Sequence, residues 1–181
     1  MIYCFLAHGF EETEAVATVD TVRRGDIDVT TVGIGGRVVV GNHGIPVVAD
    51  IDESELGDLS DMTGIILPGG IPGTLNLEKS ETVQRCIDHA QRSGLLICAI
   101  CAAPSILGKK GLLSGKRATC FEGYEVFLEG ADATGGRVES DGNIITGKAV
   151  GTAIEFGLEI IRYFKGDAKA DAIGRSMQFK R

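Results

Sequence analysis

The sequence is short of anything that would place it in or on a membrane. No stretch of its 181 residues approaches the ~20 consecutive apolar residues that a helix needs to span a bilayer. The opening Met1-Ile-Tyr-Cys-Phe-Leu6 is too short and too poor in charge for a secretory signal. A basic excess is missing too. The formal net charge of -7 argues against nucleic acid or an anionic membrane as a partner. No disulfide framework is visible, because the 5 cysteines are odd in number and lack its spacing. None of Asn42, Asn76 and Asn143 begins a glycosylation triplet. Together these absences point to free thiols in a reducing compartment, and so to the cytoplasm. The 3 histidines lie far apart without zinc-ligand spacing, so no metal site is expected. What is present is a hydrophobic content of 44%, enough for one globular domain over residues 1–181.

The order of the patterns is that of an α/β domain. Ile2 to Ala7 has the length and apolarity of a buried strand, and His8-Gly9-Phe10 turns the chain. Glu11 to Arg24 reads as a helix, with Ala15, Val16, Val19 and Val22 at helical spacing and Gly25 as its cap. Ile27 to Ile34 is a β-branched strand. Arg37 to Gly41 and Ile45 to Ala49 form a hairpin flap around Asn42-His43-Gly44. Asp50 to Asp61 is an acidic loop with a short helix. Thr63 to Leu67 is a strand that ends in the loop Pro68-Gly-Gly-Ile-Pro-Gly73. Ser80 to Ser93 is a helix with Ser80 as its N-cap. Past residue 100, Lys116 to Cys120 is a short strand and Phe121 to Leu128 one or two helical turns. Gly135 to Glu139 and Asn143 to Thr146 pair around Asp141-Gly142. Ala149 to Phe164 is a long helix, and the polar residues from Gly166 on form a short appendage. Strands alternating with helices imply a mostly parallel sheet covered on both faces, whose sites lie at the carboxyl ends of its strands.

The chain is organised around one such end. The apolar run Leu95 to Ile100 stops at Cys101, and Ala102-Ala-Pro104 leads into the helix-like Ser105-Ile-Leu-Gly-Lys-Lys110. A buried strand that passes at once into a helix makes a sharp turn, and the residue on that turn stands at the sheet edge. A cysteine there is a candidate nucleophile, with a helix N-terminus expected to lower its pKa. The competing reading is a small buried cysteine. Glu14, one turn into the first helix, meets Cys101 in one cleft if both strands are central. Burial would then raise the Glu14 pKa, so that it keeps a proton and hydrogen-bonds the sulfur. Otherwise Glu14 is solvated, as Glu11 and Glu12 can be.

Other motifs fail on chemistry. Gly33-Ile-Gly35-Gly36 lacks the sixth glycine and the following helix of a dinucleotide fingerprint, and Glu11, Glu12 and Glu14 occupy the place of a pyrophosphate. Gly142 to Lys148 is one residue short of a phosphate loop, and Ala149 offers no hydroxyl for magnesium. Asp50-Ile-Asp52 starts like a calcium loop, but Glu55 replaces the turn glycine. Cys98 and Cys101 are formally Cys-x-x-Cys, yet three extended steps separate their Cα atoms by ~10 Å, too far for a disulfide. Cys98, Cys4 and Cys86 read as core residues.

The motifs that remain, Gly9-Phe-Glu-Glu-Thr-Glu14, Leu67-Pro-Gly-Gly70, Ala99-Ile-Cys-Ala-Ala-Pro104 and Val150-Gly-Thr-Ala-Ile-Glu-Phe156, resemble the ThiJ/PfpI superfamily. The likeness runs from about Ile2 to about Phe164 and is nearest to the branch of the human parkinsonism-associated protein deglycase. It implies a flavodoxin-like three-layer sandwich and a homodimer, with the first helix and the flap as candidate surfaces. It implies Cys101 as an easily oxidised nucleophile with Glu14 as its protonated partner, and an oxyanion pocket from Gly69, Gly70 and the Ala102 N–H. The activities implied are cofactor-independent conversion of methylglyoxal to lactate, or deglycation of proteins and nucleotides. The alternative is oxidative-stress sensing or a redox-regulated chaperone role, with Cys101 oxidised to sulfinic acid or paired with Cys120. Cys120 stands where much of the family has histidine, and a thiol is a poorer base near pH 7. His43, where related chains often have arginine, is left to hold an anion or move a proton.

Overall fold

The structure, a computed structural model, describes residues 1–179. Eleven strands and six α-helices are present among them. In chain order the elements are β1 (Ile2–Leu6), α1 (Glu12–Arg24), β2 (Val29–Gly33), β3 (Val38–Val40), β4 (Pro46–Val48), β5 (Ile51–Asp52), β6 (Gly64–Leu67), α2 (Gly73–Lys79) and α3 (Glu81–Arg92). There follow β7 (Leu96–Ile100), α4 (Pro104–Lys109), β8 (Arg117–Ala118), β9 (Asp132–Ala133), β10 (Val138–Asp141), β11 (Ile144–Gly147), α5 (Ala153–Lys165) and α6 (Asp167–Ser176).

Seven strands form the central sheet in the order β10-β11-β7-β6-β1-β2-β5, all parallel except β10, which returns antiparallel to β11 through the turn at Gly142. The strands β1, β6 and β7 are buried throughout and read as continuous apolar runs, because helices cover both faces. Alternate residues feed the two cores. Phe5, Ile65, Leu67, Ile97 and Ala99 pack with α2, α3 and α4 on one face. Cys4, Leu6, Ile66, Cys98 and Ile100 pack with α1 and α5 on the other. Each large side chain buried this way contributes roughly 1.5–3 kcal/mol. The result is the expected flavodoxin-like three-layer arrangement, and β3 and β4 form the expected antiparallel flap.

The structure corrects four local readings. Within the acidic loop, Ile51 and Asp52 add an edge strand parallel to β2, too short to show a period in sequence. The Gly-Pro loop after β6 enters helix α2 at Gly73. The strand near Cys120 is only Arg117–Ala118, and it pairs with β9 in a separate two-stranded sheet. The terminal appendage is helix α6, whose Ala170 packs with Leu158 and Ile161 of α5.

Candidate active site

Strand order places the candidate groups. β1, β6 and β7 are consecutive in the sheet, so the loops that follow them leave the same edge side by side. Glu14 follows β1, Gly69 and Gly70 follow β6, and Cys101 follows β7.

Cys101 is the elbow that the sequence pattern requires. Its φ is +64°, a left-handed conformation rare for a residue with a side chain. The turn is locked from both sides. The Cys101 N–H donates to the Gly147 carbonyl (2.9 Å), and the Phe121 N–H donates to the Cys101 carbonyl (2.8 Å). Cys101 is the one cysteine that is not buried; Cys4, Cys86, Cys98 and Cys120 are all buried thiols.

Glu14 is only 1% exposed. It is oriented by two contacts. Its backbone N–H donates to Glu11 Oε2 (2.6 Å), which caps α1, and its Oε2 accepts the Gly69 N–H (2.9 Å). The carboxyl also hydrogen-bonds the Cys101 sulfur. Gly69 is required here, since a Cβ on it would lie 2.6 Å from Cys101 Cβ and 2.7 Å from Glu14 Oε2. At Gly70, with φ of +89°, a side chain would strike the Glu11 backbone nitrogen.

Burial, with the neighbouring Glu11 charge adding to it, pushes the Glu14 carboxyl up to about 7 against the pull of its hydrogen bonds to Cys101 and Gly69. The Cys101 thiol is pushed up to about 12, first by burial and then by the Glu14 carboxylate. The expected lowering by a helix N-terminus is therefore outweighed. α4 has only 6 residues and begins beyond Cys101, at Pro104. What favours negative charge on the sulfur is local: the Ala102 and Gly70 N–H groups, both directed at it. Two groups so close titrate as a unit. The pair loses a first proton near 7, from the carboxyl, and the remaining one stays on the sulfur, where the carboxylate can draw it off as the sulfur reacts.

The other expected site residues fall out differently. Gly70 and Ala102 supply anion-stabilising N–H groups, but the Gly69 N–H is engaged by Glu14, so Gly69 acts as the close-packed spacer of the pair. His43 lies on the flap turn with its side chain 64% exposed. Its Nδ1 is 2.9 Å from Glu12 Oε2, no hydrogen bond joins it to Cys101 or Glu14, and Glu12 pushes its pKa up. Cys120 is buried in the core on the α2–α4 face, and it directly precedes Phe121, whose N–H bonds the Cys101 carbonyl. Burial and the Glu125 charge push the Cys120 thiol up to about 11.

Sequence reading missed two residues. Glu12 is buried, not solvated, and accepts from the His43 and Ile45 N–H groups at 2.7 and 3.3 Å, which pins the flap beside the site. Glu11 is the N-cap that aims Glu14. The signal for Glu11 was its place three residues before Glu14 at the helix start. Glu12 left no local signal, because its partners lie more than thirty residues away.

The DJ-1/PfpI family model matches residues 1–163. The chain is 41% identical over 175 residues to Protein DJ-1 homolog A of Arabidopsis thaliana, covering 93% of this chain and 44% of that one. It thus spans less than half the length of that relative. It is 33% identical over 171 residues to a glutathione-independent glyoxalase of Caenorhabditis elegans, covering 90% of this chain and 87% of that one. The crystal structure of a C103A mutant of a DJ-1 superfamily protein from Salmonella typhimurium superimposes with a TM-score of 0.92 at 34% identity, covering 99% and 98% of the two chains.

Proposed function

Because this chain belongs to the DJ-1/PfpI family, we propose that it is a cysteine-dependent enzyme that acts on reactive α-oxoaldehydes, converting methylglyoxal to lactate without a cofactor. Deglycation of proteins or nucleotides is the same chemistry on an adduct of such an aldehyde. The observation that carries the reading is the buried Glu14 carboxyl, held between the Gly69 N–H and the sulfur of a strained, half-buried cysteine. The similarity to a glyoxalase of Caenorhabditis elegans supports it.

The geometry suits each step. Cys101 Sγ attacks the aldehyde carbon, and the C–S bond forms as the thiol proton passes by way of Glu14 to the new oxygen. That oxygen develops its charge beside the Gly70 and Ala102 N–H groups. Glu14, poised near 7, then takes the proton from C1 of the thiohemiacetal and returns it to C2, while the hydroxyl proton passes from the C1 oxygen to the C2 oxygen. C1 is oxidised to a thioester as C2 is reduced to the alcohol, so no outside oxidant or reductant enters. Water cleaves the thioester to lactate and regenerates the thiol. Neither His43 nor Cys120 is needed as a base. The test is lactate formation from methylglyoxal with no added cofactor; wild-type turnover at the Cys101→Ser background rejects the proposal.

A second reading rests on exposure. Cys101 is the accessible thiol and the others are buried, so mild peroxide is expected to oxidise Cys101 first, to sulfenic and then sulfinic acid. Pairing with Cys120 is the other course, since Cys120 directly precedes Phe121, whose N–H bonds the Cys101 carbonyl (2.8 Å).

We place the protein in the cytoplasm as a homodimer. No helix among the described residues is long and apolar enough to cross a membrane. The α1 and flap surface exposes Val16, Val38, Ile45 and Val48. Val16 and Val48 line a cavity of about 260 Å³ there, which a second copy would cover.

A further inference from the structure

The two flanks of Cys101 differ in charge. On the β1 side stand Glu11, Glu12 and Glu14, with His43 bound to Glu12. On the β11 side lies a depression of about 430 Å³ lined by Phe121, Glu122, Arg137, Lys148, Ala149 and Thr152. We propose that this depression is a subsite for an anionic oxygen group, a carboxylate or phosphate, carried by the carbonyl substrate. The substrate class rests on the α-oxoaldehyde reading above; the anion site does not.

Register puts the subsite next to the nucleophile. β11 pairs in parallel with β7, with Gly147 opposite Ile100, so Lys148 and Cys101 are the first residues beyond neighbouring strands. Adjacent strands are about 5 Å apart. Phe121, the aromatic wall, is tied by its N–H to the Cys101 carbonyl.

Lys148 supplies the charge. Its ammonium donates to the Gly135 carbonyl (3.1 Å), which leaves further donors, and no carboxylate of the described residues lies within 4.0 Å of it. Its charge also reaches Cys120, whose pKa it draws down. Arg137 is spent on structure, bonding Glu155 (2.7 Å) and the Gly151 carbonyl (3.1 Å), and so holds the wall in place. Two charges oppose it: Glu122, exposed on the lining, and Glu125, which acts on Cys120 against Lys148. An anionic substrate is thus repelled by the carboxylates on one side of Cys101 and attracted by Lys148 on the other. That asymmetry turns its aldehyde toward Sγ.

The test compares alkylation of Cys101 by iodoacetate, an anion, and by neutral iodoacetamide, each read at the Cys101 peptide by mass spectrometry. The ratio of the two rates cancels changes in the thiol itself. Lys148→Met is expected to lower the ratio about three- to tenfold and Lys148→Glu to lower it further. A ratio unchanged in both variants overturns the proposal. Inorganic phosphate that slows iodoacetate more than equimolar acetate does assigns a phosphate group, the reverse assigns a carboxylate, and no slowing by either overturns the site. For turnover, 4-carboxyphenylglyoxal should exceed phenylglyoxal in kcat/KM, and Lys148→Met should remove the advantage. Wild type that turns over neither aldehyde defeats the enzymatic reading alone, because the alkylation ratio still decides the anion site.

Discussion

Cys98 and Cys101 lie on the same strand and its end, yet they behave as different chemical groups. Cys98 is fully buried inside β7, in register with Ile145 of β11 and Ile66 of β6. Burial, with the neighbouring Cys4 thiol adding to it, holds its thiol well above the usual range. Cys101 is one step past the last paired residue, where the chain turns into a left-handed conformation. There the sulfur meets a carboxyl and two N–H groups. The lesson is that a parallel sheet makes its interior inert and concentrates chemistry at the carboxyl ends of its strands, where backbone donors are no longer spent on pairing.

The largest expected effect separates the two thiols outright. Cys101→Ser should lower methylglyoxal turnover by more than about a hundredfold. Cys98→Ala should leave turnover intact and cost roughly 1 kcal/mol in a denaturant titration, for the small cavity it opens. Equal loss in both would break the comparison.

Glu14→Gln comes next. It removes the group that moves the proton and should lower kcat by about a hundredfold. It also makes a stability prediction. Glu14 titrates near 7 in the folded chain against 4.5 for a free glutamate, so the folded state holds the proton more tightly. The stability from that difference is full below pH 4.5 and is lost as pH rises through 7. It is worth up to roughly 3 kcal/mol. Glu14→Gln should therefore melt higher than wild type at pH 8, and the gap should shrink at pH 5, as thermal unfolding at the two pH values will read.

Gly69→Ala tests the close packing of the pair. The added methyl forces sulfur and carboxyl apart, so turnover should fall about tenfold and stability by roughly 1–3 kcal/mol. The smallest effect is expected at the third thiol near the turn. Cys120→Ser should change turnover by less than about threefold, because Glu14 already moves the proton. A larger loss, measured in the same lactate assay, would return a catalytic role to Cys120.

Much of this was legible in sequence for physical reasons. The runs Ile2 to Ala7 and Leu95 to Ile100 are apolar throughout because both faces of the sheet are covered, and the abrupt stop at Cys101 marks the elbow. The pairing of Glu14 with Cys101 could be inferred once both strands were taken as central, and β6 alone separates them. What stayed hidden depended on distant partners. Glu12 looked like a solvated helix residue because the flap donors that bury it come from far along the chain. Ile51 and Asp52 became a strand only through β2, and α2 follows two prolines and two glycines that read as loop. The Cys101 pKa was misjudged because a helix start is visible in sequence, whereas burial beside a second acid is not.

The central claim is that Cys101 and Glu14 titrate as one unit. Its most direct measurement is the rate of Cys101 alkylation by iodoacetamide as a function of pH, in wild type and in Glu14→Gln. Wild type should show reactivity rising through pH about 7, as the pair loses its first proton, and Glu14→Gln should lose that rise and react only as the buried thiol itself ionises at higher pH. A single rise near the free-thiol value of ~8.5, the same in both proteins, would contradict it.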